Sequence, residues 1–267
     1  MIRPPAVAGA FYPAAPDQLT AMLRELTPPS TVSQKAIALI GPHAGYIYSG
    51  RVAGESYARA SLPERFIILC PNHRGWGAPV AIMSEGRWRT PLGDVPIDSE
   101  LAARLRSASM LFEEDSIAHA QEHSLEVHLP FLQYLKREFR FVPVSVGNVS
   151  LPELLQIGAA IARVIKECET DIMIISSTDM THYEPADVAR QKDEKAIAAI
   201  LRLDPTELHE VVRRNGITMC GVAPTTAALA AARDLGGKRA ELVLYGNSGD
   251  VTGDYKSVVG YAGFLVY

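Results

Sequence analysis

The 267-residue sequence has few cysteines and lacks the usual signals for secretion or membrane insertion. Its three cysteines, Cys70, Cys168 and Cys220, are widely spaced and odd in number, which argues against a disulfide framework and for a reducing compartment. The N-terminal segment is broken by prolines and lacks the apolar centre of a signal peptide, and no apolar run approaches the ~20 residues that span a bilayer. We therefore expect a cytoplasmic protein with no membrane partner.

Several function classes lack support because the sequence features typical of them are missing. The 26 basic residues are outnumbered by 30 acidic ones, the net charge is −4, and no basic block exceeds three residues, so nucleic acid is not an expected partner. No G-x-G-x-x-G or Walker loop occurs, which leaves nucleotide binding unsupported. There is no G-x-S-x-G nucleophile elbow, because Gly246–Gly249 falls one residue short.

What the sequence does contain is an alternation of short apolar runs with helical stretches, typical of one α/β domain spanning residues 1–267. The predicted strands are Ala36–Ile40, Phe66–Leu69, Phe141–Val146, Ile172–Ile175, Leu242–Tyr245 and Val258–Tyr267, with a hairpin formed by Val80–Met83 and Trp88–Thr90. The predicted helices are Pro16–Leu26, Val52–Ala60, Ser99–Ser107, Ser124–Phe139, Leu151–Glu167, Asp187–Leu201, Asp204–Asn215 and Ala223–Leu235. We expect three layers: a central, mostly parallel sheet with helices on both faces and some antiparallel members among the hairpin and the last two strands.

Histidines follow three of the predicted strands. His43, His73 and His182 each come shortly after a buried run, and the run Leu242–Tyr245 is followed by the polar, glycine-rich turn Gly246–Asp250. Ligands of open α/β sheets bind beyond the carboxyl ends of the strands. One histidine in such a place is more often structural than functional, but three at matching ends of one sheet favour a metal or acid–base site.

Two further residues have functional and structural interpretations that the residues alone leave open. Asp179 precedes His182 by three positions, so it either orients that imidazole for general-base chemistry or caps the following turn. Cys220 comes just before an alanine-rich helix, whose N-terminus would lower the thiol pKa and favour a metal-binding thiolate. The alternative is that Cys220 is buried and inert.

The segment His119–His123 matches H-x-x-E-H, the inverted zincin signature. That motif requires one helix with both histidines on the same face and Glu122 beside a zinc-bound water. Only five positions define it, so chance matches are common, and we rank a zinc peptidase last among the candidate functions. Glu122 and His123 remain candidates for acid–base work or for orienting a ligand.

Seven segments resemble the Memo family, in the same order and over nearly the whole chain. They are Ala8–Tyr12 (AGAFY), Pro42–Tyr46 (PHAGY), Pro71–His73 (PNH), Arg89–Asp94 (RTPLGD), Glu122–Phe131 (EHSLEVHLPF), Ser176–His182 (SSTDMTH) and Met219–Pro224 (MCGVAP). The resemblance implies a fold like that of the class III extradiol ring-cleaving dioxygenases. In place of the two histidines and glutamate of those dioxygenases, it implies a pocket of two histidines and a cysteine.

Carried over by position, the resemblance implies that His43, His73 and Cys220 bind a metal, with His123, Asp179 and His182 lining the same pocket. It also weakens the peptidase interpretation, because the family does not usually have a histidine at position 119. The first functional hypothesis is a non-haem oxygenase acting on a small aromatic or phenolic substrate, in which His123 and His182 are bases and Asp179 supports His182. The expected cofactor is a divalent transition metal, iron first and copper or zinc as alternatives. The second hypothesis is a non-catalytic module that binds a peptide or an anion in the pocket.

Overall fold

Strands and helices alternate along the chain in the order that the sequence predicts. The computed structural model describes residues 1–29 and 33–267. Its strands are β1 (Ile2–Arg3), β2 (Ala38–Gly41), β3 (Arg65–Pro71), β4 (Val80–Ile82), β5 (Arg87–Thr90), β6 (Gly93–Pro96), β7 (Glu113–Glu114), β8 (Arg140–Val146), β9 (Ile172–Ser177), β10 (His182–Glu184), β11 (Ala240–Asn247) and β12 (Val258–Val266).

The helices occupy the segments between the strands and, for the most part, cover the sheet. They are α1 (Pro16–Leu26), α2 (Tyr46–Arg59), α3 (Ser99–Ala108), α4 (Ile117–Ala120), α5 (Leu129–Leu135), α6 (Leu151–Lys166), α7 (Ala186–Leu201), α8 (Pro205–Arg214), α9 (Val222–Asp234) and α10 (Gly249–Thr252), with a 3-10 turn at Glu126–His128. Across the described ranges, none of them combines the length and the apolar character needed to cross a membrane.

One large mixed sheet runs through the centre of the molecule, as predicted. Its strand order is β10-β12-β2-β9-β3-β8-β4-β7, with β11 also paired to β12. The four central strands β2, β9, β3 and β8 are parallel to one another. The strands β12, β11 and β10 on one side and β4 on the other join by antiparallel pairs. The parallel centre therefore directs the carboxyl ends of β2, β3 and β9 to one edge.

The sheet has a hydrophobic core on each face, which gives the predicted three layers. In β3, Phe66 and Ile68 pack in one core with residues of α1, α2 and α5, whereas Ile67 and Leu69 pack in the other with residues of α3, α6 and α9. All four side chains are fully buried. A strand buried on both faces is a continuous apolar run, and this is why β3 and its parallel neighbours were visible in the sequence.

The predicted hairpin of Val80–Met83 with Trp88–Thr90 is wrong. Strand β4 pairs with β8 and β7 in the large sheet, whereas β5 pairs with β1 and β6 in a separate three-stranded sheet. The burial patterns explain the separation, because β4 is buried on both faces and β5 alternates between exposed and buried residues. Gly86, at a φ of +111°, provides the backbone conformation that redirects the chain between them.

The predicted helix Ser124–Phe139 is shorter in the structure. Its first part forms the 3-10 turn Glu126–His128, and α5 begins only at Leu129. Pro130 lies in the first turn of α5, where a missing N–H is tolerated; in the interior of a longer helix it would remove a hydrogen bond.

A buried glutamate in that 3-10 turn anchors the N-terminal segment. The carboxylate of Glu126 is fully buried, pairs with Arg3 and accepts hydrogen bonds from the Ala6 and Val7 backbone N–H groups at 2.7 and 3.1 Å and from the Tyr12 hydroxyl. A charged group buried this deeply is tolerated because every acceptor position is used. The same contacts hold the stretch before Tyr12 against the carboxyl edge of the sheet.

We predict that Glu126→Ala lowers the free energy of unfolding by about 3–5 kcal/mol, because it leaves the Arg3 guanidinium buried without its partner. The measurement is urea unfolding at neutral pH. The matched control is Glu194→Ala, which removes an exposed carboxylate paired with Arg190 at 2.8 Å one helical turn away. That substitution should cost less than about 1 kcal/mol. Equal losses in the two variants would contradict the anchoring role of Glu126.

Candidate metal site

All six residues predicted to form the site line one cavity at the carboxyl edge of the parallel strands. The cavity has a volume of about 460 Å³. The six residues are His43, His73, His123, Asp179, His182 and Cys220. They come from segments that follow β2, β3 and β9, from the turn after α4, and from the turn before α9.

His43 follows β2 and is nearly fully buried. Its Nδ1 lies 2.7 Å from the Ser177 hydroxyl, and that hydroxyl itself donates to the Ser124 carbonyl oxygen at 2.6 Å. The hydroxyl proton is thereby used, so the Ser177 oxygen accepts from Nδ1–H. This tautomer places an unprotonated Nε2 of His43 on the cavity side, which is the state that a metal ligand requires.

His73 follows β3 and is held by a buried carboxylate. Its Nδ1 is 2.9 Å from Glu122 Oε1, and its backbone N–H donates to Glu122 Oε2 at 2.7 Å. Burial raises the pKa of Glu122, but the hydrogen bonds from His73 and Ser124 outweigh burial and lower that pKa to about 2. An ionised carboxylate behind an imidazole fixes its tautomer and strengthens the opposite nitrogen as a ligand.

His123 completes a cluster of three imidazoles with His43 and His73. One ring nitrogen from each lies within 4.8 Å of the others. Nitrogens bound at about 2.0–2.1 Å in a tetrahedral site are ~3.4 Å apart, so a modest contraction would bring three such ligands onto one ion. Burial, reinforced by the neighbouring imidazoles, holds the pKa of His43 well below its ordinary value. Burial likewise lowers the pKa of His123 to about 4, so both rings are neutral near pH 7.

Cys220 is placed against the same cluster by the turn that precedes α9. Its Sγ lies 3.2 Å from His43 Nε2 and accepts the Asp179 backbone N–H at 3.2 Å. Burial raises the thiol pKa, and the nearby Asp179 carboxylate raises it further. The backbone N–H of Gly221, at the start of the helix, lowers the pKa of Cys220 as predicted, but this effect is outweighed. The thiol is therefore protonated in the metal-free protein, and it would lose its proton only if it coordinated a metal ion.

Asp179 does not orient His182, contrary to the prediction. Its Oδ1 accepts the His43 backbone N–H at 2.8 Å. The ring of His182 is instead fixed by Thr218, whose carbonyl oxygen lies 2.9 Å from Nδ1 and whose hydroxyl accepts the His182 backbone N–H at 2.7 Å. In the part of the chain that the structure describes, no hydrogen bond joins Asp179 to His182. Burial raises the pKa of Asp179 to about 6, although the His43 hydrogen bond opposes the rise.

The inverted zincin geometry does not form. Helix α4 ends at Ala120, so His119 and His123 do not lie on one helix. His119 is fully buried, with Nε2 3.2 Å from the Ala81 carbonyl oxygen and its ring against Trp88. It does not line the cavity. The match to H-x-x-E-H is therefore a coincidence of spacing.

Three residues that support the site were not singled out from the sequence. Ser177 is the last residue of β9, and it binds His128 Nε2 at 2.9 Å as well as His43. His128 Nδ1 in turn accepts from the Tyr57 hydroxyl at 2.8 Å. Thr218 holds His182 from the loop after α8. A polar residue that ends an apolar strand was the available signal for Ser177, but nothing in the sequence pointed to Thr218.

Comparison with known proteins identifies the family of this chain. The family model for Memo-like proteins matches residues 3–265. The chain belongs to the Memo family. A MEMO1 family protein of Methanopyrus kandleri is 46% identical over 279 residues, covering 99% of each chain, and one of Aquifex aeolicus is 43% identical over 268 residues, covering 99% of this chain and 98% of the other.

One solved structure has a similar fold. The crystal structure of an uncharacterized protein of Escherichia coli K12 superposes with a TM-score of 0.62 and 15% sequence identity. The match covers 86% of this chain and all of the other. At that level of identity the likeness concerns the fold alone.

We predict that His43→Ala and His73→Ala each reduce the bound metal to less than about one tenth of the parent level, because each removes a pre-oriented Nε2 ligand. Cys220→Ser should also lose most of the metal, whereas His123→Ala should retain it. The measurement is metal per folded chain after equilibration with Fe(II) or Zn(II). His119→Ala is the control, and its metal content should equal that of the parent. If Cys220→Ser kept its metal and His123→Ala lost it, the ligands would instead be His43, His73 and His123.

The buried histidines also predict a loss of stability in acid. Burial lowers the pKa of His128 to about 3 from an ordinary value of 6.5, so between these values the unfolded chain binds one proton more than the folded protein. Protonation of His128 in the unfolded chain therefore does not lower the unfolding free energy above pH 6.5. It lowers that free energy increasingly as the pH falls from 6.5 towards 3. We predict that His128→Gln, which keeps a polar side chain beside Tyr57 and Ser177, flattens the decline in unfolding free energy of the metal-free protein by up to about 1.4 kcal/mol per pH unit. An unchanged slope between pH 6 and pH 4.5 would show that His128 does not titrate on unfolding.

Proposed function

We propose that the protein is a metal-dependent oxidoreductase of the non-haem oxygenase type, acting on a small aromatic or phenolic substrate. The observation that carries the proposal is the pair of imidazoles with fixed tautomers. Ser177 holds His43 and Glu122 holds His73, so both Nε2 lone pairs are available to one ion in a cavity large enough to admit a small ring as well.

The donor set fits a divalent transition metal. We assign His43, His73 and Cys220 as the ligands, since Cys220 Sγ and His43 Nε2 are 3.2 Å apart, close to the ~3.5 Å expected for sulfur and nitrogen on a tetrahedral ion. Imidazole suits iron, copper and zinc alike, and a thiolate makes the site softer than two histidines and a carboxylate. We propose iron as the physiological ion, with copper and zinc as the alternatives to be compared.

A metal ion held by His43, His73 and Cys220 would supply binding of O₂ and of a chelating substrate, together with electron transfer between them. The protein supplies the proton transfers. His182 lines the cavity and its Nδ1 is engaged with Thr218, so Nε2 is the nitrogen able to accept a proton from a substrate hydroxyl. His123, neutral because burial lowers its pKa to about 4, is the second base within the cavity.

Asp179 has a positioning role in this scheme. By accepting the His43 backbone N–H and donating its own N–H to Cys220 Sγ, it ties two of the proposed ligands together. Its carboxylate also places negative charge beside the cavity, which stabilises a cation there. Asp179→Asn keeps an oxygen acceptor for the His43 backbone N–H, so it should lower the turnover rate less than the loss of His182 does.

We predict that His182→Ala lowers kcat by about 10²–10⁴, the usual range for loss of a general base, while the metal content stays at the parent level. The test uses protein reconstituted without air with Fe(II), then mixed with a panel of catechols and air. Oxygen uptake and ring-opened product are followed together. His209→Ala, a histidine of α8 outside the cavity lining, is the control and should keep full activity.

The alternative function makes a different prediction in the same experiment. A module that binds a peptide or an anion would consume no substrate with iron, copper or zinc, but an anionic peptide would bind and compete with metal at the cavity. That pattern would overturn the oxidoreductase proposal. Turnover that survives His43→Ala, with its metal lost, would also overturn it, because the chemistry would then not need the assigned site.

A further inference from the structure

Tyr183 has a backbone conformation that tyrosine rarely adopts. Its φ is +60°, in the left-handed region that favours glycine. The cause lies in β10: His182 pairs with Val259 and Glu184 with Val258, so two consecutive residues of β12 face three residues of β10. Tyr183 is the extra residue of a β-bulge, at a position of the kind that glycine usually occupies. Bulges of this kind occur next to active sites, where they redirect side chains.

Core packing does not account for a tyrosine at this position. The residue is 78% exposed, and its hydroxyl makes no hydrogen bond within residues 1–29 and 33–267. The other non-glycine residue with positive φ in those ranges, Leu203, is different: it follows the end of α7, where left-handed residues are common, and its side chain is buried in the core. At Leu203 the strain is offset by packing in the core, whereas the Tyr183 side chain is mostly exposed to solvent.

The bulge places the Tyr183 ring at the candidate metal site. Tyr183 lines the cavity together with His43, His73 and Cys220, and its ring centroid lies 5.7 Å from that of His182 at 64°. On the other side of the bulged residue, His182 is held by its two hydrogen bonds to Thr218. The bulge thus turns two successive side chains toward one opening, the proposed base and an aromatic ring.

We propose that Tyr183 is the aromatic contact surface for the ring of the substrate and thereby selects aromatic over aliphatic chelating ligands. This inference rests on the proposed function, because it assigns a role to Tyr183 in binding that substrate class. A planar ring whose oxygens face the histidines would pack against the Tyr183 ring in an offset or edge-on geometry. Such a contact is independent of the hydroxyl, so phenylalanine is an adequate replacement.

The test measures binding without turnover, by isothermal titration of the zinc-loaded protein with catechol. Tyr183→Gly and Tyr183→Leu should weaken binding about three- to tenfold, the usual contribution of one aromatic pair, and Tyr183→Phe should bind as the parent does. The matched control is Tyr255→Leu, because Tyr255 is half exposed but does not line the cavity. Its affinity should be unchanged. The Tyr183→Gly variant should also unfold at a temperature equal to or above that of the parent, since glycine relieves the strain.

The outcomes separate this inference from the proposed function. Catechol affinity unaffected by Tyr183→Gly, in a protein whose iron form still consumes catechols, overturns the role of Tyr183 and leaves the oxidoreductase proposal standing. Binding that depends on the Tyr183 ring, in a protein that consumes no catechol with any metal, overturns the oxidoreductase proposal and supports the aromatic contact. Absence of any catechol binding by the parent overturns the inference. A Tyr183→Gly variant that is both less stable and unchanged in affinity would assign Tyr183 a purely structural role.

Discussion

The hydrogen bond from the Ser177 hydroxyl to the Ser124 carbonyl oxygen determines which nitrogen of His43 faces the cavity without a hydrogen. Because its proton is used there, the Ser177 oxygen only accepts from the two imidazoles beside it, His43 at 2.7 Å and His128 at 2.9 Å. That direction makes Nδ1 of His43 a donor and leaves its Nε2 without a hydrogen on the cavity side, where Cys220 Sγ lies 3.2 Å away. It also makes Nδ1 of His128 the acceptor for Tyr57. If the hydroxyl proton pointed to His43 instead, the nitrogen facing the cavity would carry a hydrogen and could not bind a metal.

The sheet makes this network possible by bringing distant segments together. Ser177 ends β9, and β9 lies between β2, which leads to His43, and β3, which leads to His73. Three parallel neighbours that end at one edge bring these segments together, and contacts from Asp179, Glu122 and Ser124 then fix the side chains. The neutral state of the buried histidines follows from the same burial, since desolvation disfavours their charged forms. The fold, the tautomer of His43 and its neutral state therefore all suit this histidine to binding a cation.

The central strands and the histidines that follow them can be predicted from the sequence, because burial leaves a pattern in it. Strands buried on both faces, such as β3, are unbroken apolar runs, and the residues that follow them must lie at one edge, so His43 and His73 were found by position alone. Cys220 was harder, because its place depends on how α9 packs against the strands. Resemblance to the Memo family supplied what position could not, and the family match over residues 3–265 confirms that resemblance.

The remaining features depend on tertiary contacts that leave no local pattern. The short strands β4 and β5 were assigned to one hairpin because proximity along the chain favours it, but their different burial sends them to different sheets. The partner of His182 was expected to be the nearby Asp179 and is Thr218, 36 residues away along the chain. The left-handed conformation of Tyr183 follows from the register between β10 and β12, and residue types alone do not predict that register.

The central claim is that one transition metal ion is bound by two imidazole nitrogens and the sulfur of Cys220. X-ray absorption spectroscopy of the metal-loaded protein tests it most directly, because the distances to nitrogen and sulfur scatterers differ. For a zinc-loaded sample we predict one sulfur at about 2.3 Å and imidazole nitrogens at about 2.0–2.1 Å, with the sulfur contribution lost in Cys220→Ser. A first shell of nitrogen and oxygen alone in the parent protein would contradict it.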